Sequence, residues 1–238
     1  MFSRPHHQRI AKILESLDAD LLKKHNCLFA GGTAIALRYG EYRESVDMDF
    51  LVSDLSSYRY LRNLVREQGL QALMRGTGAE QLQTTDIRSD QYGIRTKVFV
   101  QGKPIKFEIV LEGRIGLAEP GKKDSILGVA TLTKLDMAAS KLLANSDRGL
   151  DMGMHCRDVI DLAMLNLSKS EFAEATTNTK VAYGEAILKD LSKVIGILGE
   201  ANGLLERCMK AMDVSVPRAL LWQNISKVKS YIANGIPK

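Results

Sequence analysis

The stretch FAGGTAIALRYGEYRESVDMDFLV, residues 29–52, decides the fold. An apolar strand, Cys27-Leu28-Phe29-Ala30, ends abruptly at Gly31-Gly32. Thr33 is a good N-cap for a short helix over Ala34–Tyr39, and Gly40 a C-cap. A second strand follows over Val46–Val52. Asp47 and Asp49 stand two residues apart in it and so project from one face.

Two neighbouring carboxylates repel each other, and a divalent cation relieves that repulsion. Magnesium, or manganese in its place, is a hard ion that takes carboxylate and phosphate oxygens. The paired glycines let a backbone come close, and amides at the start of the following helix can face a phosphate. These parts together suit a nucleoside triphosphate held between amides and a metal. The competing reading is an edge strand guarded by inward charge, against which Val46, Met48, Phe50, Leu51 and Val52 argue for a central strand.

Working outward, Ile10, Ile13, Leu14, Leu17 and Leu21 give an amphipathic helix over Pro5–His25. Residues 56–69 read as a helix with Tyr58, Leu61 and Val65 inward, and Arg59, Arg62 and Arg66 share another face. That arginine face is either simply solvated or a patch for acceptor phosphates. Tyr92 to Val100 alternates as a half-buried strand. Gln101-Gly102-Lys103-Pro104 is a turn, and Ile105 to Leu111 returns as its partner. In the returning strand Ile105, Phe107 and Ile109 point one way, while Lys106, Glu108 and Glu112 point the other. Glu108 is thus a third candidate carboxylate, as metal ligand or as acceptor of a hydroxyl proton. A solvated strand face is its alternative.

After Gly121 no further strand is expected, and helical patterns cover about 131–145, 156–167, 181–212 and 216–233. The expected fold class is therefore α/β of the α+β kind, a small mixed sheet with flanking helices over residues 1–118. An all-helical domain over 124–238 follows.

The chain has 238 residues, 45% hydrophobic and 26% charged, which excludes disorder as its main state. No apolar run reaches the roughly 18–20 residues of a membrane span. The opening MFSRPHHQRIAK lacks the apolar core of a signal peptide, so a cytoplasmic location without membrane contact is expected. Cys27, Cys156 and Cys208 are too far apart for a metal knuckle. His6, His7, His25 and His155 are scattered and read as surface residues. Thirty-three basic against 28 acidic side chains give +5, which permits a polyanionic partner without requiring one.

A glycine turn, a short helix, an Asp-x-Asp strand and a later carboxylate strand resemble the DNA polymerase beta-like nucleotidyltransferase superfamily. Within it, residues 29–52 look most like the AbiEii/AbiGii toxin family. Lys141, Arg148 and the block Arg157-Asp158-Val159-Ile160-Asp161-Leu162 resemble that family's helical Lys … Arg-Asp-x-x-Asp-Leu pattern. The resemblance implies magnesium-dependent transfer of a nucleotide from a nucleoside triphosphate (ATP, GTP or CTP) to an acceptor such as transfer RNA, by a toxin paired with an antitoxin.

By matching position, it implies that Gly31, Gly32 and Thr33 meet phosphate. Asp47 and Asp49 would hold metal with Glu108 as the third carboxylate. Lys141 would reach the triphosphate from the helical half, and Asp158 or Asp161 would brace the cleft. Arg43, between the glycine turn and Asp47, suits either a phosphate or an ion-pair partner. Lys141 on a packed helix face also suits snorkelling, and the Arg-Asp block suits a helix-start ion-pair set. Thr33 where the superfamily often has Ser, and Glu108 where Asp is commoner, depart from the pattern. Two rivals remain: a catalytically inactive nucleotide- or partner-binding module, and an enzyme modifying an aminoglycoside-like small molecule.

Overall fold

The computed structural model describes residues 2–75, 82–154, 156–200 and 203–233. The chain divides into two compact units, Met1–Glu41 with Ser45–Thr133, and Tyr42–Glu44 with Lys134–Lys238.

In the first unit the amphipathic pattern near the N-terminus forms two helices, α1 (Pro5–Ser16) and α2 (Ala19–Lys24). The break falls at Asp18, whose carboxylate accepts from the Leu21 amide at 2.9 Å and starts a new helix. An aspartate prefers that capping position to a helix interior. Ile10, Ile13, Leu14 and Leu17 are buried as their spacing predicts.

Among the described residues five strands make a mixed sheet: β1 (Leu28–Ala30), β2 (Met48–Val52), β3 (Arg88–Ser89), β4 (Gly93–Val100) and β5 (Lys103–Leu111), in the order β1-β2-β5-β4-β3. β2 runs antiparallel to β1 and parallel to β5, and the remaining pairs are antiparallel. Because β2 is paired on both sides, it is not an edge strand. One face of the sheet carries Phe29, Phe50 and Phe107 side by side across three strands, with ring centroids 5.2 and 5.3 Å apart. Met48, Val52, Ile105 and Ile109 complete that buried face.

The helix α3 (Gly31–Arg38) joins β1 to the segment that enters β2, and α4 (Leu55–Gln68) follows β2. Tyr58, Leu61 and Val65 of α4 are buried. A two-residue ribbon, β6 (Ser125–Ile126) with β7 (Val129–Ala130), lies where no strand was expected. Strands of two residues are too short to show an alternating pattern.

Helices make up the second unit: α5 (Lys134–Arg148), α6 (Arg157–Met164), α7 (Lys169–Tyr183), α8 (Ala186–Glu200), α9 (Leu204–Ala211) and α10 (Arg218–Ala233). The expected helix over 181–212 is thus divided, and most of α7 was not anticipated. Its buried face is only Phe172, Ala175, Thr176 and Thr179, a weak apolar signal. The legible mark was Ser168-x-x-Glu171, which forms a reciprocal capping box. Among the described residues no helix is long and apolar enough to cross a membrane.

Candidate active site

The glycine turn sits at the junction of β1 and α3, and Ala30 is in register with Asp49 on the neighbouring strand. Gly31 has φ +70°, and a Cβ built on it would overlap the Asp49 carboxylate. Glycine alone supplies both the left-handed conformation and the missing volume. The start of α3, where helix amides lack intrahelical acceptors, therefore lies directly against an acidic side chain.

Thr33 is not the N-cap. The helix begins two residues earlier, at Gly31 with Ala30 as its cap, so Thr33 falls inside the first turn and is buried. Its hydroxyl lies 2.8 Å from Ser45 Oγ and donates to the Asp47 carbonyl at 2.5 Å. The Thr33 side chain thus ties α3 to the segment entering β2, and its backbone amide remains part of the helix start.

Asp47 stands one residue before β2 and Asp49 is its second residue; both are half-buried. Met48, Phe50 and Val52 fill the opposite, apolar face, so alternation leaves the two aspartates together on the other.

Glu108 of β5 is in register with Asp49, and Arg95 of β4 is in register with Glu108. Both Glu108 oxygens have cationic partners: Arg95 Nε at 3.2 Å and Lys106 Nζ at 2.7 Å. Among the described residues no group of three or more His, Cys, Asp or Glu side chains is arranged to hold a metal ion. The sheet brings Glu108 beside Asp49, but its carboxylate is committed to two cations rather than to a three-carboxylate cluster. The signal was present in the sequence. A two-residue turn at Gln101-Gly102, with φ +52° and +71°, sets the hairpin register that places Arg95 opposite Glu108.

In the helical unit a second ionic cluster forms. Arg43 holds Asp161 in a forked pair, Nε to Oδ1 at 2.6 Å and Nη2 to Oδ2 at 2.9 Å. The Tyr42 hydroxyl donates to Asp161 Oδ1 at 2.6 Å. Lys141 Nζ bridges Asp161 at 2.7 Å and Asp158 at 3.0 Å. Arg148 pairs with Asp158 at 2.9 and 3.1 Å. Burial would raise both carboxyls, but Arg43 with Lys141 at Asp161, and Lys141 with Arg148 at Asp158, hold them below the usual carboxylate range. The Tyr42 hydroxyl is pushed up by burial and by Asp161.

The candidate residues thus fall into two groups. Gly31, Gly32, Thr33, Asp47, Asp49 and Glu108 gather on the sheet unit; Arg43, Lys141, Asp158 and Asp161 gather in the helical unit. Lys141 is buried and bonded to both aspartates, and the Arg43 guanidinium is given to Asp161. Tyr42 and Arg148 belong to the second cluster, and hydrogen bonding to Asp161 is what singles Tyr42 out. Sequence reasoning also missed His7, which is fully buried rather than at the surface. It lies three residues before Ile10 and seven before Leu14, on the apolar stripe of α1, and that spacing was the available sign. His155 lies outside the described residues.

A family model described as nucleotidyl transferase AbiEii toxin, type IV toxin–antitoxin system, matches residues 12–208. Two solved proteins of Helicobacter pylori resemble the chain along nearly their whole length. One, provisionally described as a nucleotidyltransferase, is 19% identical with a TM-score of 0.50, covering 98% of this chain and 97% of the other. The second, JHP933, is 17% identical with a TM-score of 0.51, covering 98% and 96%. At such identities the likeness is one of fold. No curated protein matches the chain.

Proposed function

The chain belongs to the AbiEii nucleotidyl transferase toxin family of type IV toxin–antitoxin systems, and from that premise we propose that it transfers a nucleotide from a nucleoside triphosphate to an RNA acceptor, with Asp47 and Asp49 holding magnesium. The observation that carries this reading is the missing Cβ of Gly31, without which the start of α3 could not lie against the Asp49 carboxylate. Two carboxylates on one strand face are a donor set that a hard divalent cation accepts. When bound there, magnesium would supply charge neutralisation and Lewis-acid polarisation at the phosphoryl group.

The chain's own residues do the rest. Amides of Gly31, Gly32 and Thr33 at the α3 start receive phosphate oxygens, favoured by the positive end of the helix. Thr33 holds Asp47 in place through its carbonyl. Glu108 fixes Arg95 and Lys106 next to Asp49, so that two partly exposed cations face the polyanion. In the helical unit Arg43, Lys141 and Arg148 meet Asp158 and Asp161, an ionic cluster that braces that unit. An RNA acceptor is supported by Arg59 and Arg66, exposed on α4 immediately after the Asp-x-Asp strand, and by the net charge of +5. Membership of this family implies an antitoxin partner.

The test is magnesium-dependent transfer of label from each of the four α-32P nucleoside triphosphates into total cellular RNA. Asp49→Asn is expected to abolish incorporation with an unchanged unfolding midpoint, and its induced expression to no longer arrest growth. Near-normal incorporation by that variant would refute the site. Label recovered in small molecules instead of RNA would overturn the acceptor.

A further inference from the structure

His7 lies wholly inside the sheet unit at the start of α1, between the two ends of the loop that leaves α3 and enters β2. The Ser45 amide donates to His7 Nε2 at 3.1 Å, and His7 Nδ1 lies 2.8 Å from Glu41 Oε1. A backbone N–H can only donate, so Nε2 keeps its lone pair and the ring proton sits on Nδ1, donated to Glu41. The imidazole is neutral even though it touches a carboxylate. Glu41 is itself fixed as an acceptor by the Ser3 amide and hydroxyl at 2.7 and 2.8 Å and by the Arg4 amide at 3.2 Å. From Ser45 the chain of contacts continues through its hydroxyl to Thr33 at 2.8 Å, and from Thr33 to the Asp47 carbonyl.

We propose that His7, as the neutral Nδ1–H tautomer, is a positioning residue for nucleotidyl transfer: it fixes the Ser45 backbone and, through Ser45 and Thr33, the setting of Asp47. The inference rests on the assignment of Asp47 to the active site. It also makes activity pH-dependent in a definite direction. A proton added at Nε2 would turn that nitrogen into a donor facing the Ser45 N–H, and the bond must break. Burial lowers the His7 pKa from 6.5; Glu41 opposes this, while the neighbouring charges of Arg4 and His6 assist it. Transfer should therefore hold at pH 6.5 and fall as pH drops further, through the depressed His7 pKa.

Two isosteres separate the halves of the imidazole. His7→Gln offers an oxygen near the Nε2 position for the Ser45 amide, whereas His7→Asn offers a donor near Nδ1 for Glu41 and leaves Ser45 without an acceptor. With labelled nucleoside triphosphate and total RNA at pH 7.5, His7→Asn is expected to lose about 100-fold in kcat, the usual scale for a misplaced catalytic group, with KM little changed. His7→Gln should recover most of that loss and show no acid limb attributable to residue 7. Two-bond 1H–15N correlation of the wild-type imidazole should show the Nδ1–H tautomer at pH 7, a readout independent of any variant's folding and of activity. An Nε2–H or cationic ring at pH 7, or equal kcat in the two variants, would overturn the proposal. Asp47→Asn measured alongside keeps the two readings apart. If it is inactive while His7→Asn matches the wild type, only the role of His7 fails; if it is fully active, the site itself fails and the inference with it.

Discussion

Replacing Gly31 by alanine would put a methyl group where the Asp49 carboxylate lies and hold a side chain at φ +70°. The left-handed conformation alone costs about 1–2 kcal/mol for a residue with a Cβ. The overlap adds to it, because the carboxylate must swing away. Gly31→Ala is therefore expected to lower the urea unfolding midpoint modestly and to reduce transfer about 100-fold, since the displaced group belongs to the proposed site. Gly102→Ala, at φ +71° with nothing within 4 Å of its Cβ, carries the conformational cost without a clash. It is the control: a smaller loss of stability, from conformation alone, with full transfer. The glycine pair and the Asp-x-Asp strand were legible from residue type because both express short-range rules, the sterics of φ and the two-residue period of a strand. The Thr33 cap was misjudged for a physical reason. A hydroxyl at a helix start can serve the helix or a neighbouring segment, and only the position of Ser45 and Asp47 decides between them.

At the scale of elements, the helical unit is organised around Asp161, fully buried and bonded to Arg43, Lys141 and Tyr42. Removing it leaves the Arg43 guanidinium buried without its carboxylate and Lys141 with Asp158 alone. Asp161→Ala is expected to cost roughly 3–5 kcal/mol, measured by urea unfolding, as for other buried pairs broken from one side. Asp161→Leu, which keeps volume but no charge, should not restore stability, because Arg43 and Lys141 remain. The helices carrying Lys141, Asp158 and Asp161 were legible from their periodicity. The closure of Arg43 onto Asp161 was not, because 118 residues separate them and spacing carries no information over that range. Likewise α7 hid behind a face of alanine and threonine, and β6 and β7 were too short to show a pattern.

For the molecule as a whole, the titrating groups set how stability follows pH. The His7 pKa is lowered in the fold, so its contribution is complete above 6.5 and is lost as pH falls through the depressed value. Asp158 and Asp161 are lowered from 3.8, so theirs is present above that value and is lost as pH falls further. Urea midpoints should therefore decline in two steps on acidification: a shallow one below pH 6.5, to which His25, also lowered by burial, contributes and which His7→Gln diminishes, and a steep one in the strongly acid range that remains. A single step shared by both proteins would contradict the assignment. The sequence by itself determined the class of fold, the glycine turn, the Asp-x-Asp strand and the helical character of the second half, because each rests on local geometry or on contiguous pattern, and its resemblance pointed to the family. Only the tertiary structure decided that Glu108 answers to Arg95 and Lys106, that Lys141 and Arg43 close on buried aspartates, and that His7 lies in the core. A charged or polar side chain takes whatever counter-group the fold brings within about 3 Å, and that neighbour is fixed by packing of distant segments, which no reading along the chain can measure.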